Sequence, residues 1–210
     1  MTTVFDISER SLYLCTPLRD DLLSFVFDVV TSGVDIVQLR EKDADARVLL
    51  AAARELATLC ADLGVPFILN DRPDLALECG ADGVHVGQDD APVSLCRRLL
   101  GPEAIIGLST HADEEFDRAL GDDVTYLSAG PVEATPTKPG RPGTGVSYVA
   151  SAAARSRVPV FVTGGVTPES IPVLAARGVR HFVVVRYLTQ ASRPSEAARA
   201  LRHAIDEARS

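Results

Sequence analysis

Lysine is nearly absent from this chain: Lys42 and Lys138 are the only two, although lysine and arginine together number 21. Wherever any surface cation would serve, the sequence uses arginine. The two lysines therefore mark places where a compact three-donor ammonium is wanted instead of a planar fork, the competing reading being chance survival in an arginine-rich composition. Other features are missing too. No apolar run approaches the roughly 18 residues of a membrane span, and the start, Met1 to Arg10, is mixed and charged, unlike a targeting segment. There is no basic excess; the formal net charge of -8 argues against a nucleic-acid or anionic-membrane partner and requires any anion site to be a local gathering of positive groups. Cys15, Cys60, Cys79 and Cys96 show no C-x-x-C spacing, and each falls in an apolar pattern, so they read as buried free thiols of a soluble cytoplasmic protein. Homo-oligomerisation is left open.

What is present is an alternation. With 210 residues and 46% hydrophobic content the chain can bury a sizeable core in one domain, residues 1-210. Short β-branched runs predict strands at Ser11 to Cys15, Asp35 to Leu39, Pro66 to Leu69, Gly83 to Val86, Ile105 to Leu108, Tyr126 to Ala129, Val158 to Val162 and His181 to Val185. Between them amphipathic patterns predict helices near Leu22 to Thr31, Ala46 to Leu63, Asp74 to Cys79, Val93 to Leu100, Glu114 to Leu120, Ser147 to Ala154, Glu169 to Arg177 and Ser195 to Arg209. Thr167-Pro168-Glu169, Pro92 and Pro194 supply helix-start signals. Gly33, Gly64, Gly80, Gly101, Gly121 and Gly178 fall where helical patterns stop. No G-x-G-x-x-G turn follows the first strand, so eight strand-helix units predict a single-domain (β/α)8 TIM barrel in place of a doubly wound sheet.

Such a barrel builds its active site from the loops at the C-terminal ends of its strands. Those ends are loaded here: Gln38, Arg40 and Lys42 after strand 2, Asn70 and Asp71 after strand 3, Gln88, Asp89 and Asp90 after strand 4, Ser109, Thr110 and His111 after strand 5. The longest loop, Gly130 to Gly145, carries Thr135, Thr137 and Lys138, while strand 7 ends in Thr163-Gly164-Gly165 and strand 8 in Val185-Arg186. Gly164-Gly165 reads either as a main-chain phosphate cradle or as an ordinary tight turn. Asp71 with Asp89-Asp90, near three basic residues, suggests Mg²⁺ held by one or two carboxylates and by the oxygens of a diphosphate, although Asp89 also suits a helix cap. His85, among valines, reads as a satisfied barrel histidine; His111 faces the site or solvent, and His181 and His203 read as structural.

Taken in order, V-Q-L-R-E-K, L-N-D, G-V-H-V-G-Q-D-D, I-I-G-L-S-T-H, G-P-V-E-A-T-P-T-K and V-T-G-G-V-T-P-E resemble the signature of the thiamine phosphate synthases from strand 2 to strand 8. The resemblance implies a barrel that joins a hydroxymethylpyrimidine diphosphate to a thiazole phosphate and releases diphosphate with Mg²⁺. It implies that Gln38, Arg40, Lys42, Asn70, Ser109 and Lys138 hold the pyrimidine diphosphate, with Leu39 and Glu41 as further contacts. Arg40, Lys42, Ser109 and Lys138 would be catalytic, and Asp71 and Asp90 would bind Mg²⁺. Thr135, Pro136, Thr137, Gly165 and the Val185-Arg186 turn would hold the thiazole phosphate. Many members carry a small Ser where this chain has Arg186. The related thiazole tautomerases typically carry a histidine where this chain has Pro131 and lack much of the diphosphate set. A non-catalytic phosphate-ligand sensor on the same barrel is the reading from another class, and the full set of leaving-group residues argues against it.

Overall fold

The computed structural model describes residues 5–134 and 143–209. Its strands are β1 (Leu12–Thr16), β2 (Ile36–Leu39), β3 (Phe67–Asn70), β4 (Gly83–Val86), β5 (Ile105–Thr110), β6 (Tyr126–Ala129), β7 (Val160–Val162) and β8 (His181–Val184), all parallel and closed into a barrel by pairing of β1 with β8. The helices among the described residues are α1 (Leu22–Val30), α2 (Ala46–Leu63), α3 (Pro73–Cys79), α4 (Val93–Leu100), α5 (Asp113–Ala119), α6 (Gly145–Arg155), α7 (Ser170–Ala175), α8 (Arg186–Thr189) and α9 (Pro194–Glu207).

Alternation along each strand sorts the side chains into two cores. Residues pointing outward, such as Leu12, Leu14, Val37, Leu39, Phe67, Leu69, Val84 and Val86, pack under the helices. Those pointing inward include Tyr13, Cys15, Ile36, Ile68, Ile105, Tyr126, Phe161 and Val183 and fill the barrel's middle. A 3-10 turn at Ile7–Glu9 leads into β1 and adds Ile7 to this inner cluster, closing its N-terminal end. All four cysteines are buried, none in a disulfide among the described residues, and burial pushes the Cys60 thiol up to about 12.

At that same end Arg202 of α9 ties the seam of the barrel. Its guanidinium donates to Asp35 at 2.6 Å, to the Ser11 hydroxyl at 2.8 Å and to the Gly33 carbonyl at 2.7 Å. Asp35 in turn accepts the backbone N–H groups of Ser11 and Leu12 at 3.1 and 2.9 Å. A side chain at Gly33 would meet Arg202 Cβ at 2.9 Å, so the guanidinium reaches its carbonyl only because this helix ends in glycine.

Several boundaries differ from the expected ones. β3 and β5 extend to Asn70 and Thr110, which puts Asn70 and Ser109 within strands. Pro159 delays β7, which begins at Val160 instead of Val158. Pro73 opens α3 one residue early, a position where the missing N–H is harmless. Pro92 caps α4 from outside, while Pro194 is the first residue of α9. α7 begins at Ser170; Thr167 Oγ1 accepts the Ser170 N–H and Ser170 Oγ accepts the Thr167 N–H, a reciprocal cap that leaves Pro168-Glu169 in a turn. Of the six helix-ending glycines, Gly121 alone does not take a positive φ. The short helix α8 was hidden in the expected turn after β8; Arg186 is its first residue.

Candidate active site

A cavity of about 530 Å³ opens at the C-terminal ends of the strands. Gln38, Arg40, Lys42, Asn70, Asp71, Asp90, Ser109, Gly165, Val185 and Arg186 all line it, as do Gln88, Asp89, His111, Pro131 and Gly164. Leu39 and Glu41 stand apart from these. Leu39 is fully buried in the outer core, as alternation between inward Gln38 and Arg40 demands, and neither it nor Glu41 lines the cavity. Glu41 instead accepts the Asp43 N–H. Thr135, Pro136, Thr137 and Lys138 lie outside the described residues.

The charged rim belongs to β2, β3 and β4. Lys42 Nζ lies 3.0 Å from Asp71 Oδ2, with the lysine half-exposed. Asp71 holds a positive φ of 62°, a conformation sparsely used by any residue but glycine, asparagine and aspartate, and its N–H is fixed on the His85 carbonyl at 2.8 Å. Burial holds its carboxyl above the usual carboxylate range; Lys42 opposes this, and the neighbouring Asp90 carboxyl adds to it. Asp90 Oδ2 accepts the Gly87 N–H at 2.8 Å. Among the described residues Asp71 thus meets both Lys42 and a second carboxylate, and a hard divalent cation would relieve the crowding of the two acids. Among the described residues no group of three or more His, Cys, Asp or Glu is arranged to hold a metal, so a cation on this pair would need oxygens from a ligand.

The opposite rim, at β7 and β8, is main chain. Gly164 and Gly165 have φ of 92° and 75°. A Cβ on Gly164 would meet the Pro131 Cβ at 2.4 Å, and one on Gly165 would meet the Glu133 carboxylate at 2.7 Å. Only glycine fits the first approach, and the second shows an exposed acid resting against the turn.

Below both rims the cavity floor is polar and buried. Gln38 Nε2 donates to the Tyr13 hydroxyl at 2.7 Å, which meets the Tyr126 hydroxyl at 2.8 Å. Tyr126 meets His85 Nδ1 at 2.9 Å, and His85 Nε2 meets Ser109 Oγ at 2.8 Å. His85 is thus satisfied on both nitrogens, as expected, yet it also lines the cavity. His111 faces the site, its ring and its N–H held by Glu115 at 2.9 and 2.8 Å. His181 bonds the Arg10 carbonyl and burial lowers its pKa, while His203 is paired with Glu207 on the surface. Tyr13, Tyr126, Ser128, Tyr187 and Gln190 also line the cavity and were not expected; inward phase on β1 and β6 was the available signal for the first three. No helix among the described residues is long and apolar enough to cross a membrane.

Comparison with known proteins agrees with this fold. Residues 12–188 match the family model described as thiamine monophosphate synthase. A thiamine-phosphate synthase of Thermus thermophilus is 46% identical over 84% of this chain and 85% of its own length. One of Synechocystis is 39% identical over 91% of this chain, which spans only 56% of that longer protein. A solved thiamine phosphate pyrophosphorylase from Pyrococcus furiosus is 26% identical and superposes with a TM-score of 0.85, covering 94% of this chain and 96% of that one. By sequence and by fold, then, this chain belongs to the thiamine monophosphate synthase family.

Proposed function

We propose that the protein is a Mg²⁺-dependent transferase. It would condense 4-amino-2-methyl-5-(diphosphooxymethyl)pyrimidine with 4-methyl-5-(2-phosphooxyethyl)thiazole to give thiamine phosphate and diphosphate. The observation that carries this reading is the Lys42–Asp71–Asp90 cluster, whose surplus carboxylate beside a lysine suits a magnesium diphosphate. Arg40, Lys42, Ser109 and Lys138 would take the diphosphate, Gln38 and Asn70 the pyrimidine end. Asp71 and Asp90 would hold Mg²⁺, which neutralises charge on the departing oxygens. Thr135, Thr137, the Gly165 turn and the Val185-Arg186 start of α8 would fix the thiazole phosphate.

The chemistry needs no protein nucleophile. The amino group of the pyrimidine stabilises positive charge on its exocyclic methylene, so the C–O bond to diphosphate breaks first and the thiazole nitrogen then attacks the cation. Protein cations stabilise the charge that grows on the leaving group, and the phosphate anchor of the thiazole keeps its nitrogen nearer than water. The test is product formation from the two purified substrates with and without Mg²⁺. Stoichiometric thiamine phosphate and diphosphate are expected only with the metal. Absence of product with a folded protein would overturn the reading, and proton exchange on the thiazole phosphate alone would replace it with tautomerase activity.

A further inference from the structure

The hydrogen bonds of the cavity floor form one line, and that line has a direction. The Gln38 amide donates from Nε2 to Tyr13, while its Oε1 accepts the Cys15 thiol at 3.3 Å. A phenol has a single hydrogen to give. Having accepted from Gln38, Tyr13 directs its own hydrogen at Tyr126, and Tyr126 directs its hydrogen at His85 Nδ1. The imidazole then carries its hydrogen on Nε2 and donates to Ser109 Oγ. The hydrogen of Ser109 is left to point into the cavity. Running the line backwards requires the Gln38 amide to turn over. That exchanges a thiol-to-carbonyl hydrogen bond at Cys15 for one to sulfur, a weak acceptor. Burial raises the pKa of both tyrosines far above the ordinary phenol value, so neither phenol releases its proton into the line.

A second observation shows that the barrel is built around this line. His85, Gly107 and Tyr126 are register partners across β4, β5 and β6, so the two rings meet over an intervening strand. A Cβ at Gly107 would lie 2.1 Å from Tyr126 Cζ and 2.6 Å from His85 Nδ1. The middle strand is bare where the two side chains join, and the rings stack 5.6 Å apart at 21°.

We propose that the line Cys15–Gln38–Tyr13–Tyr126–His85–Ser109 holds His85 in its Nε2–H tautomer and thereby presents the Ser109 hydroxyl to bound substrate as a hydrogen-bond donor. Tyr13, Tyr126 and His85 are then positioning residues for a group they never replace. The use of Ser109 by the diphosphate rests on the function proposed above; the tautomer does not.

The two are tested separately. The first measurement is ¹⁵N NMR of the histidine-labelled, ligand-free protein at neutral pH, with His85 assigned through His111→Gln, His181→Gln and His203→Gln. A protonated Nε2 and an unprotonated Nδ1 are expected in the wild type; the opposite tautomer or a fast mixture overturns the proposal without any variant of the line. Gln38→Glu, once ionised at alkaline pH, removes the donor at the head of the line and leaves only acceptors, so Tyr13 must donate backwards and His85 should switch to Nδ1–H. An unchanged tautomer in folded Gln38→Glu with its carboxylate ionised also overturns it. The second measurement is kinetic. Tyr126→Phe should lower kcat/KM for the pyrimidine diphosphate by about tenfold, the scale of one hydrogen bond, and should cost nothing further in a Ser109→Ala background. Additive losses would overturn the coupling of Tyr126 to Ser109. A silent Ser109→Ala beside an intact wild-type tautomer would discard the substrate reading alone.

Discussion

The two ends of the barrel each hold a carboxylate–cation cluster, and the two are finished differently. At the N-terminal end every arm is engaged: Asp35 accepts two backbone N–H groups and Arg202, and Arg202 also reaches Ser11 and Gly33. At the C-terminal mouth Lys42 meets Asp71 while Asp90 crowds the same carboxylate, and burial and that neighbour leave Asp71 with a raised pKa. A saturated cluster serves the fold. An unsaturated one, facing a cavity, leaves room among the described residues for charge brought by a ligand, which is why it carries the proposed function.

If that contrast is right, substitutions at the two ends must separate activity from stability. The largest effect is expected from Lys42→Ala. It should remove about 3 kcal/mol of transition-state stabilisation, the scale of one lost charge-stabilising donor, in turnover measured at saturating substrates. Its melting temperature should fall less than that of Arg202→Ala. Arg202→Ala should behave in the opposite sense, losing about 2 to 3 kcal/mol in denaturant unfolding because Asp35 is left partly buried without its cation, with KM and kcat of the surviving folded protein unchanged. Equal loss of stability in both variants would erase the distinction.

Asp71→Asn sharpens the comparison through pH. A carboxyl whose folded pKa is raised above its ordinary value of 3.8 contributes most to stability below that value and loses the contribution as pH climbs through the folded pKa. Asparagine never ionises, so in metal-free buffer the variant should melt higher than wild type at pH 7, with the difference closing in acid. The same variant should need more Mg²⁺ for activity. A lower melting temperature at neutral pH would mean that the Lys42 pair outweighs burial and Asp90.

The smallest effects belong to the main-chain rim. Arg186→Ser should raise KM for the thiazole phosphate alone, by a factor matching roughly 1.5 kcal/mol if the guanidinium reaches it. Glu133→Gln should lower the same KM by a fewfold, since it removes an anion resting against Gly165. Unchanged constants in both would leave phosphate binding to the backbone and to the threonines of the preceding loop.

Much of this molecule was legible in the residues. Short β-branched runs such as Ile36–Leu39 and the helical stripe of Ala46–Leu63 each mark their own element, so eight units and a barrel followed from local patterns. The charged rim was visible because Lys42, Asp71 and Asp90 are unusual residue types at strand ends. Leu39 faces the outer core, the side that strand alternation gives to a residue between inward Gln38 and Arg40. Tyr13 and Tyr126 were missed for a deeper reason: an aromatic residue inside a strand reads as core, and only the closed register brings 13 within hydrogen-bond reach of 126. The four residues of α8 are too few to establish a period.

The seam between β1 and β8 has a consequence for how the chain comes into being. Leu12 pairs with Phe182, and Arg202 reaches back to Ser11, so the contacts that turn a curved sheet into a cylinder join residues about 170 to 190 positions apart. Until those partners have been synthesised, β1 presents an unpaired edge that any other strand can extend. Closure must be late, because the entropy of so long a loop is recovered only when the last strand arrives. The nascent protein therefore passes through a stage at which it is open to its own neighbours, and that stage lasts until β8 and Arg202 are in place to end it.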